Sequence, residues 1–274
     1  MKEKNNGAKK NSFEAVLQSA VKLPYVQIDR AEFLTAELAK YYDTETVQKA
    51  IDTNPAQAGI CVQDLEKIAN ACIVFETRKV TALSATAGLA GIKTMAIAIP
   101  ADTVQFYGHV LRILQKLAYL YGWHQIVNDE SKLDDETVNQ LTLFVGVMFG
   151  VSAANAALTK IAGIAAMNVP KKLVRAALTK GTIYPVVKQV SKSIGINMTK
   201  AIFAKSVGKV IPVVGAVASG GMTYAFFRPM ALRLKKYLAG LPAADVDFYN
   251  APHDFPDIID IDIDIDFEEI ALNE

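Results

Sequence analysis

The stretch that most limits how this chain can fold is KSVGKVIPVVGAVASGGMTYAFFRPMALRLKKYL, Lys205 to Leu238. Its middle, Val210 to Phe227, runs eighteen residues without a charge, and Lys205, Lys209, Arg228, Arg233, Lys235 and Lys236 fence it on both sides. Pro212, Gly215, Gly220 and Gly221 are costly in an ordinary core helix, at about 1 kcal/mol per glycine and about 3 for an interior proline. Small residues are favoured where helix backbones approach closely, in lipid or in a tight apolar hairpin. The stretch therefore predicts a glycine-rich helical hairpin segment bordered by cations.

The charges divide the chain in two. Residues 241–274 hold 11 of the 28 Asp and Glu and none of the 29 Lys and Arg, so 29 cations face 17 acids in the body (+12) and the tail is −11. From Thr137 to Ala244 there are 14 Lys and Arg and no acid. A cationic half that is also apolar points to an anionic partner, and the glycine-rich runs favour anionic membrane lipid. No RNP, zinc-finger or helix-turn-helix pattern is present, so nucleic acid is not the expected partner. The mean hydropathy, +0.21, lies between that of soluble and polytopic chains. Cys61 and Cys72 suit a reduced compartment better than a disulfide framework, and neither they nor other residues form a metal-ligand or cofactor motif. Residues 1–12 are polar and lysine-rich without a following apolar core, which predicts a disordered start and no secretory signal.

Periodicity predicts an all-α body over 13–240, a multi-helix bundle followed by a non-helical acidic tail over 241–274. Phe13 to Leu23 carries Phe13, Val16, Leu17, Ala20 and Val21 on one face and reads as a helix docked on the core. Asp29 to Tyr42 is a helix with Asp29 as N-cap, Glu32 three residues on, and Phe33, Leu34, Leu38 and Tyr41 turned inward. Thr44 to Asp52 is a short helix that Asn54-Pro55 breaks. Asp64 to Ala87 is a long helix leading into a small-residue run that ends at Pro100. Asp102 to Trp123 is the cleanest amphipathic helix, with Tyr107, Val110, Leu111, Leu114, Leu117, Ala118 and Tyr121 buried and Asp102, Gln105, His109, Arg112 and Lys116 on the polar face. Leu141 to Thr159 is uncharged for nineteen residues, close to the roughly 20 needed to cross a bilayer. Gly146, Gly150 and Ala154 fall four apart there as a ridge for helix packing, like Pro212, Gly215 and Gly220 in the later segment. Lys160 to Thr199 reads as three short helices broken at Pro170, Gly181, Pro185 and Gly195.

Catalytic motifs are absent: there is no G-x-S-x-G elbow, P-loop or H-E-x-x-H pair. Asp102, His109 and Lys116 line up at seven-residue spacing, with Arg112 between them and His124 beyond, but no second carboxylate is evident and the row reads as a solvated face. In the tail, Ile259, Ile261, Ile263, Ile265 and Phe267 alternate with acids at 260, 262, 264, 266 and 268. Alternation of that kind gives one apolar and one acidic edge when extended. The tail reads as a disordered acidic segment, as an intramolecular cover for the basic body, or, through 258–268, as a docking segment for another protein.

Two blocks resemble the EcsC protein family of bacteria. In the first, Ala85 to Trp123, a glycine-containing run leads to Ile99-Pro100-Ala101-Asp102 and a long helix closing on Ala118-Tyr119-Leu120-Tyr121-Gly122. The second is Lys209-Val210-Ile211-Pro212-Val213-Val214-Gly215-Ala216, followed by Gly220 and by Ala231 in a basic helix. The resemblance implies a helical, membrane-associated bacterial protein and supplies no catalytic residues. With the charge pattern it leads to the expectation of a non-enzymatic protein on the cytoplasmic side of the inner membrane. There Lys171, Lys172, Arg175, Lys209, Arg228, Arg233, Lys235 and Lys236 would meet anionic headgroups. A membrane-permeabilising toxin-like protein, or a soluble helical enzyme or lipid carrier with a buried apolar cavity, are the other readings the sequence allows.

Overall fold

The computed structural model describes residues 13–89, 101–127, 133–166, 178, 183–208 and 212–251. Among them the protein has ten α-helices and no strand: α1 (Phe13–Val21), α2 (Arg30–Leu38), α3 (Thr44–Asp52), α4 (Val62–Leu89), α5 (Ala101–Leu120), α6 (Asp135–Phe149), α7 (Ser152–Ala166), α8 (Ile183–Gly208), α9 (Pro212–Ala239) and α10 (Val246–Asn250). A 3-10 turn, Pro242–Ala244, precedes α10.

Local chemistry accounts for where several of these helices begin and end. The Asp29, Asp43 and Asp134 carboxylates accept the backbone N–H three residues on, from Glu32, Thr46 and Thr137, each at 2.8 Å. Each thereby satisfies a donor that a helix start leaves unpaired, typically at a gain of about 1 kcal/mol. At the far ends, Gly122 and Gly150 take φ of +93° and +80° and turn the chain out of α5 and α6. At Gly122 a Cβ would also sit 2.6 Å from the Ala243 carbonyl oxygen, so the position needs glycine twice over.

Helix α5 is the centre of the bundle. It packs against α1, α2, α4, α6 and α9, and every residue from Ile113 to Tyr121 is buried. Its amphipathic pattern predicts one wet face; Gln105 does stay exposed, but His109 and Lys116 are buried and Arg112 is half-buried. Helices α4 and α9 form the most extensive pair. Lys235 near the end of α9 meets Glu66 near the start of α4 (3.3 Å), so the two run antiparallel. Helix α1 buries the five residues its periodicity marks, Phe13, Val16, Leu17, Ala20 and Val21, against α5.

Four expectations change. The uncharged run 141–159 is two helices, because Gly150 ends α6 and Ser152 starts α7. Gly146 and Ala154 therefore face each other across a turn rather than forming a ridge on one helix. A Cβ on Gly146 would meet Ala154 at 2.7 Å and Val190 of α8 at 2.5 Å, so the glycine permits a close three-helix contact. Pro185 and Gly195 do not break α8: Pro185 lies in the first turn, where a missing N–H costs nothing. Tyr41 is 67% exposed, because α2 ends at Leu38 and the chain turns before it. The beginning of the acidic stretch belongs to the body, since Leu241, Ala243 and Ala244 are buried and the Asn54 side-chain amide donates to the Tyr249 hydroxyl of α10 (2.9 Å). Residues 1–12, the small-residue run over 90–100 and the alternating segment 258–268 lie outside the described residues. Pro212 is the first residue of α9, and Gly215 and Gly220 lie within that continuous helix. Among the described residues no helix is long and apolar enough to cross a membrane.

Candidate functional site

Two places gather charged side chains, one inside the bundle and one on it. The inner one is Glu76 of α4, which is fully buried. Its Oε1 accepts from Arg112 Nε at 2.9 Å and from Lys116 Nζ at 2.7 Å, and its Oε2 lies 3.8 Å from His109 Nδ1, beyond hydrogen-bond reach. Among the described residues Oε2 and both His109 ring nitrogens have no hydrogen-bond partner. Burial alone would raise the Glu76 carboxyl, but the hydrogen-bonded cations Lys116 and Arg112, with the His109 ring alongside, outweigh it and hold the group at about 2. The ammonium of Lys116 is further placed over the rings of Phe33 and Phe75, at 5.8 and 5.4 Å.

A strap, residues 22–29 between α1 and α2, closes over this cluster. Arg112 donates to the Tyr25 carbonyl, and the Tyr25 ring lies 5.2 Å from that of His109. Gln115 pins the strap further on, accepting from Ile28 N–H (3.3 Å) and donating to the Val26 carbonyl (2.9 Å). Gly108 makes the crossing possible, because a Cβ there would stand 2.9 Å from Leu23. The row His109, Arg112 and Lys116 is thus buried or half-buried, not the solvated face its sequence suggests, and the second carboxylate is Glu76. Its signal was present: Leu65, Ala69, Cys72, Glu76 and Val80 follow helical spacing, which puts a carboxylate on the apolar stripe of α4. A carboxylate held ionised with two cations committed to it makes a poor proton donor at neutral pH. What it does well is clamp α4, α5 and the strap together. Asp102 opens α5 in sequence with His109 and Lys116, but its side chain is not among those described.

A second buried cation, which the sequence reading missed, is Arg30. It donates to the carbonyls of Ile51 (2.6 Å), Ala50 (3.1 Å) and Thr53 (3.1 Å) at the end of α3, and to that of Trp123 (3.0 Å) after α5. Carbonyls at a helix C-terminus carry partial negative charge, so a guanidinium there needs no carboxylate. Its role is structural.

The outer gathering lies on α8 and α9, which pack on each other. Tyr184, Tyr224 and Phe226 are 38%, 50% and 52% exposed. On the same two helices Lys188, Lys192, Arg228 and Lys236 are exposed, and Lys188 Nζ lies 4.5 Å over the Tyr184 ring. Two further cations of this region are engaged by the body of the protein. Arg233 donates to the Met148 carbonyl near the end of α6, and Lys235, with its side chain 14% exposed, pairs with Glu66. Of the residues expected to meet headgroups, Arg228, Arg233 and Lys236 are exposed, Arg233 with its guanidinium engaged at Met148, while Lys171, Lys172, Arg175 and Lys209 lie outside the described residues. Lys188 and Lys192 are additions that spacing alone did not single out.

No protein family, no curated protein and no solved structure matches this chain.

Proposed function

We propose that this protein binds the surface of an anionic membrane through the α8–α9 face, at the cytoplasmic leaflet of a bacterial inner membrane. One observation carries the reading: exposed aromatic residues Tyr184, Tyr224 and Phe226 are interspersed with exposed Lys188, Lys192, Arg228 and Lys236 in a segment without a single acid. Aromatic rings with one apolar and one polar side favour the headgroup level, and long cationic side chains can lay their stems on apolar surface while the charge meets phosphate. Each cation near such a surface contributes about 1 kcal/mol, so four are enough for reversible attachment. The resemblance to a membrane-associated bacterial family supports the same direction. On this reading the bundle is a peripheral binder, with its apolar runs used for helix packing.

Flotation of the purified protein with vesicles tests it. Attachment to vesicles containing phosphatidylglycerol but not to purely phosphatidylcholine vesicles, reversed by 0.5 M salt, is the expected result, since screening shortens the reach of surface charge. Failure to float with anionic vesicles at low salt would remove the proposal. Association that survives salt and alkaline carbonate, with release of trapped dye, would replace it with an inserting protein.

A further inference from the structure

We infer that the lipid face continues across α9 onto α4, where Val74, Phe75, Arg78 and Lys79 form its second half. This rests on the membrane reading above and extends that site to a helix outside the acid-free half of the chain. Between Ala71 and Ala82 the exposed positions of α4 are Ala71, Val74, Phe75, Arg78, Lys79 and Ala82. They recur at three- and four-residue intervals, so they form one helical stripe about 17 Å long. A helix on the outside of a bundle ordinarily turns polar residues to water. Here Val74 and Phe75 are 40% and 50% exposed, and the two charges of the stripe are both positive. Glu76, the one acid in this span, is buried and committed to Arg112 and Lys116. Lys79 Nζ lies 4.5 Å over the Phe75 ring, which pairs a cation with an exposed aromatic as Lys188 does with Tyr184.

The fold sets this stripe beside that of α9. Helices α4 and α9 pack on each other and both pack on α5, so the faces they turn away from α5 lie on the same outer side of the pair. The ion pair between Lys235 and Glu66 fixes their register. Phe75 lies nine residues from Glu66 and Phe226 nine from Lys235, so in this antiparallel pair the two exposed rings stand at one level, about 13.5 Å along from the ion pair. Arg228 falls opposite Ile73, beside Val74, by the same register. Packed helix axes are about 8–10 Å apart, which makes the two stripes one surface. Its apolar side chains are Val74, Phe75 and Phe226, and its cations Arg78, Lys79 and Arg228. Such a surface complements an anionic leaflet in both respects, with rings at the headgroup level and cations at the phosphates.

The test places a tryptophan in the full-length chain as Phe75→Trp and, separately, as Phe226→Trp. Trp123, the sole native tryptophan, is buried beside Phe144 and supplies the background signal. With vesicles of acyl-brominated phosphatidylglycerol the emission of both variants should shift to the blue and be quenched, while the parent's stays unchanged. Brominated phosphatidylcholine should leave all three bright. Arg78→Gln with Lys79→Gln should weaken attachment to phosphatidylglycerol vesicles about thirtyfold, and the charge-matched Lys22→Gln with Lys49→Gln far less. Quenching of Phe226→Trp alone overturns the inference and leaves the α8–α9 reading standing. Quenching of Phe75→Trp alone upholds α4 as a lipid contact and refutes the α8–α9 assignment, so the two claims fail separately. Equal losses from the two charge pairs overturn the inference. A blue shift of Phe75→Trp that grows with protein concentration in the absence of vesicles overturns it in favour of a second copy of the chain covering α4.

Discussion

Glu76 shows how one side chain can fix three parts of a fold. Its carboxylate is out of water, and it is tolerable there only because Arg112 and Lys116 converge on one oxygen. Removing the charge leaves two cations facing an amide in a dry site, and breaking a buried pair this way costs about 3 kcal/mol. Glu76→Gln should lower the urea midpoint accordingly while leaving the helical circular dichroism signal in place. The pH dependence has a definite sign. The folded group titrates at about 2, below its ordinary 4.5, so its contribution is full above the ordinary range and is lost as pH falls through 4.5 towards 2. The gap in urea midpoint between parent and Glu76→Gln should therefore be largest near pH 6 and shrink steadily below pH 4. A gap that stays constant with pH would mean the carboxylate is not held ionised by its neighbours.

At the level of helices, glycines with different surroundings separate packing from propensity. Gly146 stands where α6, α7 and α8 meet, and a larger residue must displace Val190 or Ala154. Gly146→Leu should cost about 1–3 kcal/mol by overpacking. Gly163, inside α7, has nothing within 4 Å of where a Cβ would go, so Gly163→Ala should raise stability by about 1 kcal/mol through helix propensity alone. Thermal unfolding of the two variants reads both effects, and a stabilising Gly146→Leu would show that the three helices do not approach as described. The sequence marked Gly146, Gly150 and Ala154 as close-packing residues, and two of the three do pack closely. What spacing alone did not reveal is that Gly150 turns the chain, because a left-handed residue depends on the contacts beyond it, here Arg233 against the end of α6.

For the molecule as a whole, the division of charge matters more than any single contact. The proposed membrane face predicts that Arg228→Gln with Lys236→Gln weakens binding to phosphatidylglycerol vesicles by about thirtyfold, about 1 kcal/mol for each lost cation. Lys40→Gln, in the turn after α2 and far from the acid-free half in sequence, should change little. Equal losses from the two would mean that attraction is diffuse rather than localised on α9. The same charges in Arg233 and Lys235 should not be interchangeable with these, because one caps α6 and the other joins α9 to α4. Substituting them should appear first as lost stability.

The helices, their caps and the buried face of α1 were legible in the sequence because they depend on residues three to seven apart, within reach of periodicity and of a single capping side chain. The same holds for the separation of an acidic tail from a basic body. The tertiary structure alone decided which polar residues go inside. Arg112 and Lys116 find Glu76 across 36 and 40 residues of chain, and Arg233 finds Met148 across 85. A polar residue on a helix is outward or inward according to whether such a distant partner arrives to replace water, and helical spacing holds no record of that partner.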